Sequence, residues 1–191
     1  MQGVYCFITF YIVGGYIVNN NSRKTQFITR TALLLALVIT AQLSGRLLPN
    51  SSFVVGPLVN ACLLISTALA GVWSGIIISV VSPFASLINN HAPVAAALLP
   101  FAPFVAIGNS IYVLSYYLLR KKSAVAGIGV GSVLKFAFLY SAIGIFLQIF
   151  DFPKFAKVLT TLFGWPQLIT ALLGGILALA VIKALKGSIA E

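Results

Sequence analysis

The chain has 191 residues, 60% of them hydrophobic and 7% charged, with a mean hydropathy of +1.08. Soluble domains carry about 25% charged residues, so this chain cannot clothe a polar surface, and lipid must be its outer solvent. The net charge of +10 does not indicate nucleic acid, because eight of the 12 cations form three groups beside apolar segments: Arg23, Lys24 and Arg30; Arg120, Lys121 and Lys122; Lys183 and Lys186. That is the positive-inside pattern, whereas a nucleic-acid groove would interleave cations with stacking aromatics on one face.

Residues 3–18 are apolar and aromatic but short, with no basic segment before them and no clean cleavage site after them, which argues against a signal peptide. An extra span, an interfacial helix and residues upstream of the true start all remain open for this stretch. Residues 1–22 are therefore set apart as an N-terminal hydrophobic extension, and residues 23–191 are read as one membrane domain. Its first span is expected at about 27–48, ended by Pro49, Asn50, Ser51 and Ser52. The second covers about 53–69, followed by an uncharged turn at 71–74. The third, about 75–87, contains Pro83, which is expected to bend or unwind its end before Asn89, Asn90, His91 and Pro93. A fourth span runs from about Pro100 or Pro103 to residue 119, and a fifth from 124 to 150. After a loop at 151–157, the sixth is expected at about 162–182. The fold class is thus an all-α integral membrane protein, a six-transmembrane-helix bundle. Placing Arg23, Lys24 and Arg30 inside puts all eight grouped cations inside, leaving Arg46, Lys154 and Lys157 outside. Both ends of the six-helix core are then cytoplasmic, in a plasma membrane.

No enzyme signature is present: no G-x-G-x-x-G, Walker A, H-E-x-x-H or G-x-S-x-G. The only carboxylates, Asp151 and Glu191, lie 40 residues apart, so paired-carboxylate catalysis and acid-based proton relays have no support. Cys6 and Cys62 are isolated in apolar segments, with no Cys/His spacing for a metal, and no cofactor is expected.

Lys135 is the most informative residue. It lies near the middle of the 123–150 stretch, which is otherwise uncharged. An ammonium at that depth costs at least ~2.5–3.5 kcal/mol and normally faces a bundle interior, a partner or a ligand. Two readings stand: the lysine snorkels or bonds backbone carbonyls, or it meets an anionic or carbonyl-rich solute. Asn60, mid-span, either bridges helices or holds a ligand. Asn109, Tyr112 and Tyr116 share one helix face, with the tyrosines also readable as packing or interface anchors and Asn109 as the better ligand candidate. Asn89 and His91 are turn-formers or part of a lid over an outward-facing cavity, and Arg46 could attract an anion there. Ala32 and Ala36 make a small-x-x-x-small step that permits close helix contact in lipid.

The runs TRTALLLALVITAQL, GPLVNACLLISTALAGVWSGIIISVVSPF and PFAPFVAIGNSIYVLSYYLL, within a six-span outline, resemble the substrate-binding S component of energy-coupling factor (ECF) vitamin transporters. The likeness covers residue 23 to the C-terminus. It implies a vitamin-capture subunit of a bacterial ABC-type importer that catalyses no reaction itself. Its expected partners are a transmembrane coupling protein (T component) and two cytoplasmic ATPases. It also implies a docking surface at Ala32 and Ala36 and a pocket that includes Asn60, Asn89, His91, Asn109, Tyr112 and Lys135. GPLVN and IGNSIYV look most like the pantothenate group, with pyridoxine or hydroxymethylpyrimidine, cobalamin and a solitary permease as alternatives.

Overall fold

The computed structural model describes residues 2–45, 52–87, 98–150 and 153–189. A backbone surrounded by lipid must satisfy its own N–H and C=O groups, and helices do this within one segment. The described residues accordingly form helices and turns with no strand. In chain order these are α1 (Gln2–Ser44), α2 (Ser52–Leu69), α3 (Val72–Ser86), a short 3-10 turn (Leu99–Phe101), α4 (Ala102–Leu119), α5 (Ala124–Ile149), α6 (Pro153–Phe163) and α7 (Trp165–Ile189). Four stretches are long and apolar enough to cross a membrane: Ser22–Ser44, Leu99–Leu119, Ala124–Ile149 and Ala156–Leu185. Two shorter apolar helices, Phe53–Leu69 and Val72–Ser86, complete a six-helix membrane bundle.

Three boundaries differ from the sequence expectation. The turn after α2 is tighter than 71–74: Ala70 and Gly71 reverse the chain, Gly71 at φ +99°, and α3 starts at Val72. Only glycine adopts that conformation without strain. Pro83 does not unwind α3 short of Ser86: the helix runs through it and forgoes one hydrogen bond, the one its missing N–H would make to the Ser79 carbonyl. The expected 151–157 loop is mostly helix: α6 begins at Pro153, whose fixed φ suits a first helical position. Gly164 then separates α6 from α7, so the sixth span is a short amphipathic helix joined to a long one. Pro166 has no N–H to offer the Leu162 carbonyl, and the Gln167 side-chain amide donates to it instead at 3.1 Å. The 3–18 stretch is the leading part of α1, continuous with the first span.

The bundle centres on α2, which packs most extensively against α7 and also meets α1, α3 and α4. The other close pair is α4 with α5. One core cluster gathers Leu63, Leu64, Ile78, Tyr112, Val113, Ala171 and Ala178. A second, around Phe101, Leu139, Ile143, Phe146, Leu159 and Phe163, binds α6 to α4 and α5. Large apolar side chains also cover the outside, among them Trp73, Leu118 and Val125, as expected for a surface that lipid wets. Inside, the Thr67 and Ser79 hydroxyls donate to carbonyls of their own helices, while the buried Ser132 hydroxyl has no hydrogen-bond partner among the described residues. The Thr31 and Ser74 hydroxyls meet at 2.8 Å between α1 and α3. Two guanidiniums serve the carbonyl end of α2: Arg30 donates to the Leu69 oxygen at 2.7 Å and Arg120 to the Thr67 oxygen at 3.1 Å.

Candidate functional site

Lys135 lies eleven residues into α5, about 16 Å along the helix axis. Its side chain points into the bundle and is 3% exposed. The ammonium donates to the Asn60 Oδ1 of α2 at 2.7 Å and stands 5.6 Å from the centre of the Tyr112 ring. An amide oxygen and an aromatic face therefore take the place of a carboxylate. Both stabilise a desolvated cation, and neither neutralises it. The chain's two carboxylates, Asp151 and Glu191, fall outside the described residues. Its remaining N–H donors make no hydrogen bond to the described residues and are available to another acceptor.

Asn60 is seated from behind by α7. A Cβ added at Gly174 would lie 2.6 Å from both the Asn60 Cβ and the Pro57 carbonyl oxygen. The absence of a side chain at Gly174 is what lets α2 and α7 approach closely enough to fix the amide. Tyr112 is likewise locked, fully buried with its hydroxyl donating to the Ala171 carbonyl at 2.8 Å.

Lys135 and Asn60 open onto a cavity of about 390 Å³. Volumes of roughly 300–1,000 Å³ are those of small-molecule sites. The walls are mainly apolar, with Phe53, Val55 and Val59 from α2, Val105 from α4, and Leu162 and Phe163 from α6. A few polar groups break this surface: Lys135, Asn60, Asn109, Gln42, Ser82 and Gln167. Asn109 Nδ2 approaches Ser82 Oγ at 3.4 Å, a long contact that leaves the amide available.

Of the residues singled out from the sequence, Lys135, Asn60 and Asn109 meet at this cavity, while Tyr112 supports it from behind the lysine. Asn89 and His91, like Asn90 and Arg46, lie outside the described residues. Ala32 and Ala36 are elsewhere, on the outward face of α1 with Leu33 and Leu37. Gln42 escaped the sequence reading. It is 4% exposed, its Nε2 donates to the Ser82 carbonyl at 3.0 Å, and its Oε1 has no hydrogen-bond partner among the described residues. A glutamine inside the apolar run ALVITAQL was the available signal. Gln167 and Ser82 were missed for the same reason, as single polar residues in apolar context. No metal-holding group of His, Cys, Asp and Glu occurs among the described residues.

Residues 26–185 match the family model described as ECF transporter, substrate-specific component. Searches of curated proteins and of solved structures give no match. The matched segment covers all but the first four residues of the six membrane helices and includes the lysine, its amide partner and the cavity. The chain belongs to the ECF transporter substrate-specific component family.

Proposed function

We propose that this membrane protein captures pantothenate, with the vitamin's carboxylate on Lys135 and its amide and hydroxyls among Asn60, Asn109 and Gln42. The observation that carries this reading is a buried ammonium held by a neutral amide at the edge of a solute-sized cavity. A cation so placed lowers the free energy of an anion that enters. Because water is scarce there, the charge-assisted bond is stronger than at a surface. The apolar walls suit a small, flexible, branched solute. Trp73 and Trp165 are exposed, at 72% and 60%, and do not line the cavity, so no indole platform awaits a large planar ring.

Capture proceeds from the side of the membrane that Phe53, Ser86 and Leu98 face, which the distribution of cations assigns to the outside. The segment with Asn89, Asn90 and His91 closes over the bound solute. The chain docks through Ala32 and Ala36 onto a transmembrane coupling protein, and two cytoplasmic ATPases supply the energy that turns the subunit and releases the vitamin inward. Its setting is a bacterial plasma membrane with both ends of the core in the cytoplasm.

A calorimetric screen of the purified chain against pantothenate, pyridoxine, hydroxymethylpyrimidine and cobalamin tests the reading. One-to-one binding of pantothenate at nanomolar affinity, with no flux in proteoliposomes until the coupling subunits are added, is the expected result. Preference for one of the other three would reassign the substrate. Gradient-driven flux by the chain alone would replace the capture subunit with a permease.

A further inference from the structure

A second cleft, of about 610 Å³, opens at the opposite end of the bundle. The vitamin cavity lies where α2 and α4 begin, whereas this cleft lies where they end, at Leu69 and Arg120. We infer that it is a binding site for the phosphate headgroup of an anionic phospholipid.

Four features converge on an anion. Arg120, Lys121 and Lys183 line the cleft from the end of α4 and from α7. Among the described residues no carboxylate lines the cleft, and Asp151 and Glu191 lie outside them. Ala124, the first residue of α5, also lines it. Ser123 caps the Ala126 N–H there, but the earliest N–H groups of a helix have no partner within it and carry its positive end. The fourth feature is Tyr116, which is 3% exposed yet forms part of the cleft wall, with a hydroxyl that makes no hydrogen bond to the described residues. An acceptor seated in the cleft can reach this phenol. The competing negative charge, the carbonyl end of α2, is already occupied by Arg30 and Arg120.

The remaining walls identify the anion's carrier. Leu69, Leu179 and Ile182 make one side apolar. The cleft also lies at the depth where the spans end, flanked by the outward-facing Leu118 and Val125 at 72% and 69% exposure. A soluble phosphate has no use for such a wall, while a phospholipid lays its glycerol and upper acyl chains along it. Basic pockets between membrane helices at the cytoplasmic side recognise lipid headgroups in this way. The site is independent of which vitamin the other cavity takes.

Native mass spectrometry of the purified chain tests this, with phosphatidylglycerol, phosphatidylcholine of matched acyl chains, and soluble glycerol phosphate as probes. The wild-type protein is expected to retain phosphatidylglycerol over phosphatidylcholine by roughly tenfold or more, since each nearby basic residue contributes about a fivefold preference. Lys121→Gln with Lys183→Gln should abolish most of that preference, and Tyr116→Phe should reduce it several-fold. Both lysines are exposed, so their replacement leaves the packed core untouched, and unfolding temperatures of the variants check this. Equal retention of the two lipids by the wild type overturns the inference. So does a preference that survives in the variants, or displacement of the lipid by glycerol phosphate at equal concentration.

Discussion

Replacing the two members of the buried pair separately and together should produce three different proteins. Lys135→Met removes a charge whose burial costs ~2.5–3.5 kcal/mol. It also removes a charge-assisted hydrogen bond contributing about 1.5–3 kcal/mol. These nearly offset, so stability should stay within about 1 kcal/mol of the parent, a shift of about 2–4 °C in unfolding temperature. Asn60→Leu instead leaves the ammonium buried with only the Tyr112 ring beside it, 5.6 Å from the ring centre. Removing one partner of a buried charged pair costs about 3–5 kcal/mol, and that variant should unfold well below the parent. The double variant, with an apolar pair, should recover most of the loss. Binding should follow a different order. An ammonium–carboxylate contact away from water is worth about 2–5 kcal/mol on truncation, or roughly 30-fold to several thousand-fold in affinity. Lys135→Met should therefore weaken pantothenate by at least that lower bound while changing pantothenol, its uncharged alcohol, by less than about tenfold. Thermal unfolding in detergent and calorimetric titration with both compounds give the two readouts. An Asn60→Leu protein as stable as the parent would refute the pairing. Equal losses for pantothenate and pantothenol in Lys135→Met would refute the assignment of the carboxylate to the lysine.

Two other substitutions test the frame around the site. Gly174→Ala places a methyl group 2.6 Å from the Asn60 Cβ and the Pro57 oxygen. It should force α2 from α7, costing about 1–3 kcal/mol by overpacking and weakening pantothenate along with thermal stability, measured by the same pair of assays. Ala32→Leu with Ala36→Leu enlarges an exposed face of α1 and should leave vitamin binding intact. It should abolish co-purification with the coupling protein, and retained co-purification would move the docking surface elsewhere.

The helices legible in the sequence were uninterrupted apolar runs closed by turn-formers or cations. Spans two, four and five fall within a few residues of α2, α4 and α5. The α6 helix was hidden because Pro153, Lys154 and Lys157 read as a polar loop, yet Leu159 and Phe163, four residues apart, form a buried stripe. One-sided burial needs only a few apolar residues, which hydropathy averaging dilutes. Lys135 was legible because a lone charge in hydrocarbon demands an explanation. Its partner was not, since Asn60 lies 75 residues away and carries no opposite charge to advertise the contact. Gln42 and Gly174 were illegible for a related reason: their roles come from what faces them across helix interfaces. The small-residue step at Ala32 and Ala36 required only local spacing, and α1 presents both on its outward side.

Chemical protection of the cavity wall tests the central claim most directly. Val59, partly buried on α2, lines the cavity beside Asn60. A Val59→Cys chain, with Cys6 and Cys62 changed to alanine, can be treated with a small maleimide in the presence and absence of pantothenate. Saturating pantothenate should slow labelling by about tenfold or more, as expected for a site occupied at 90% or above, and Lys135→Met should remove that protection. Labelling at the same rate with and without the vitamin would mean that the solute does not enter this cavity.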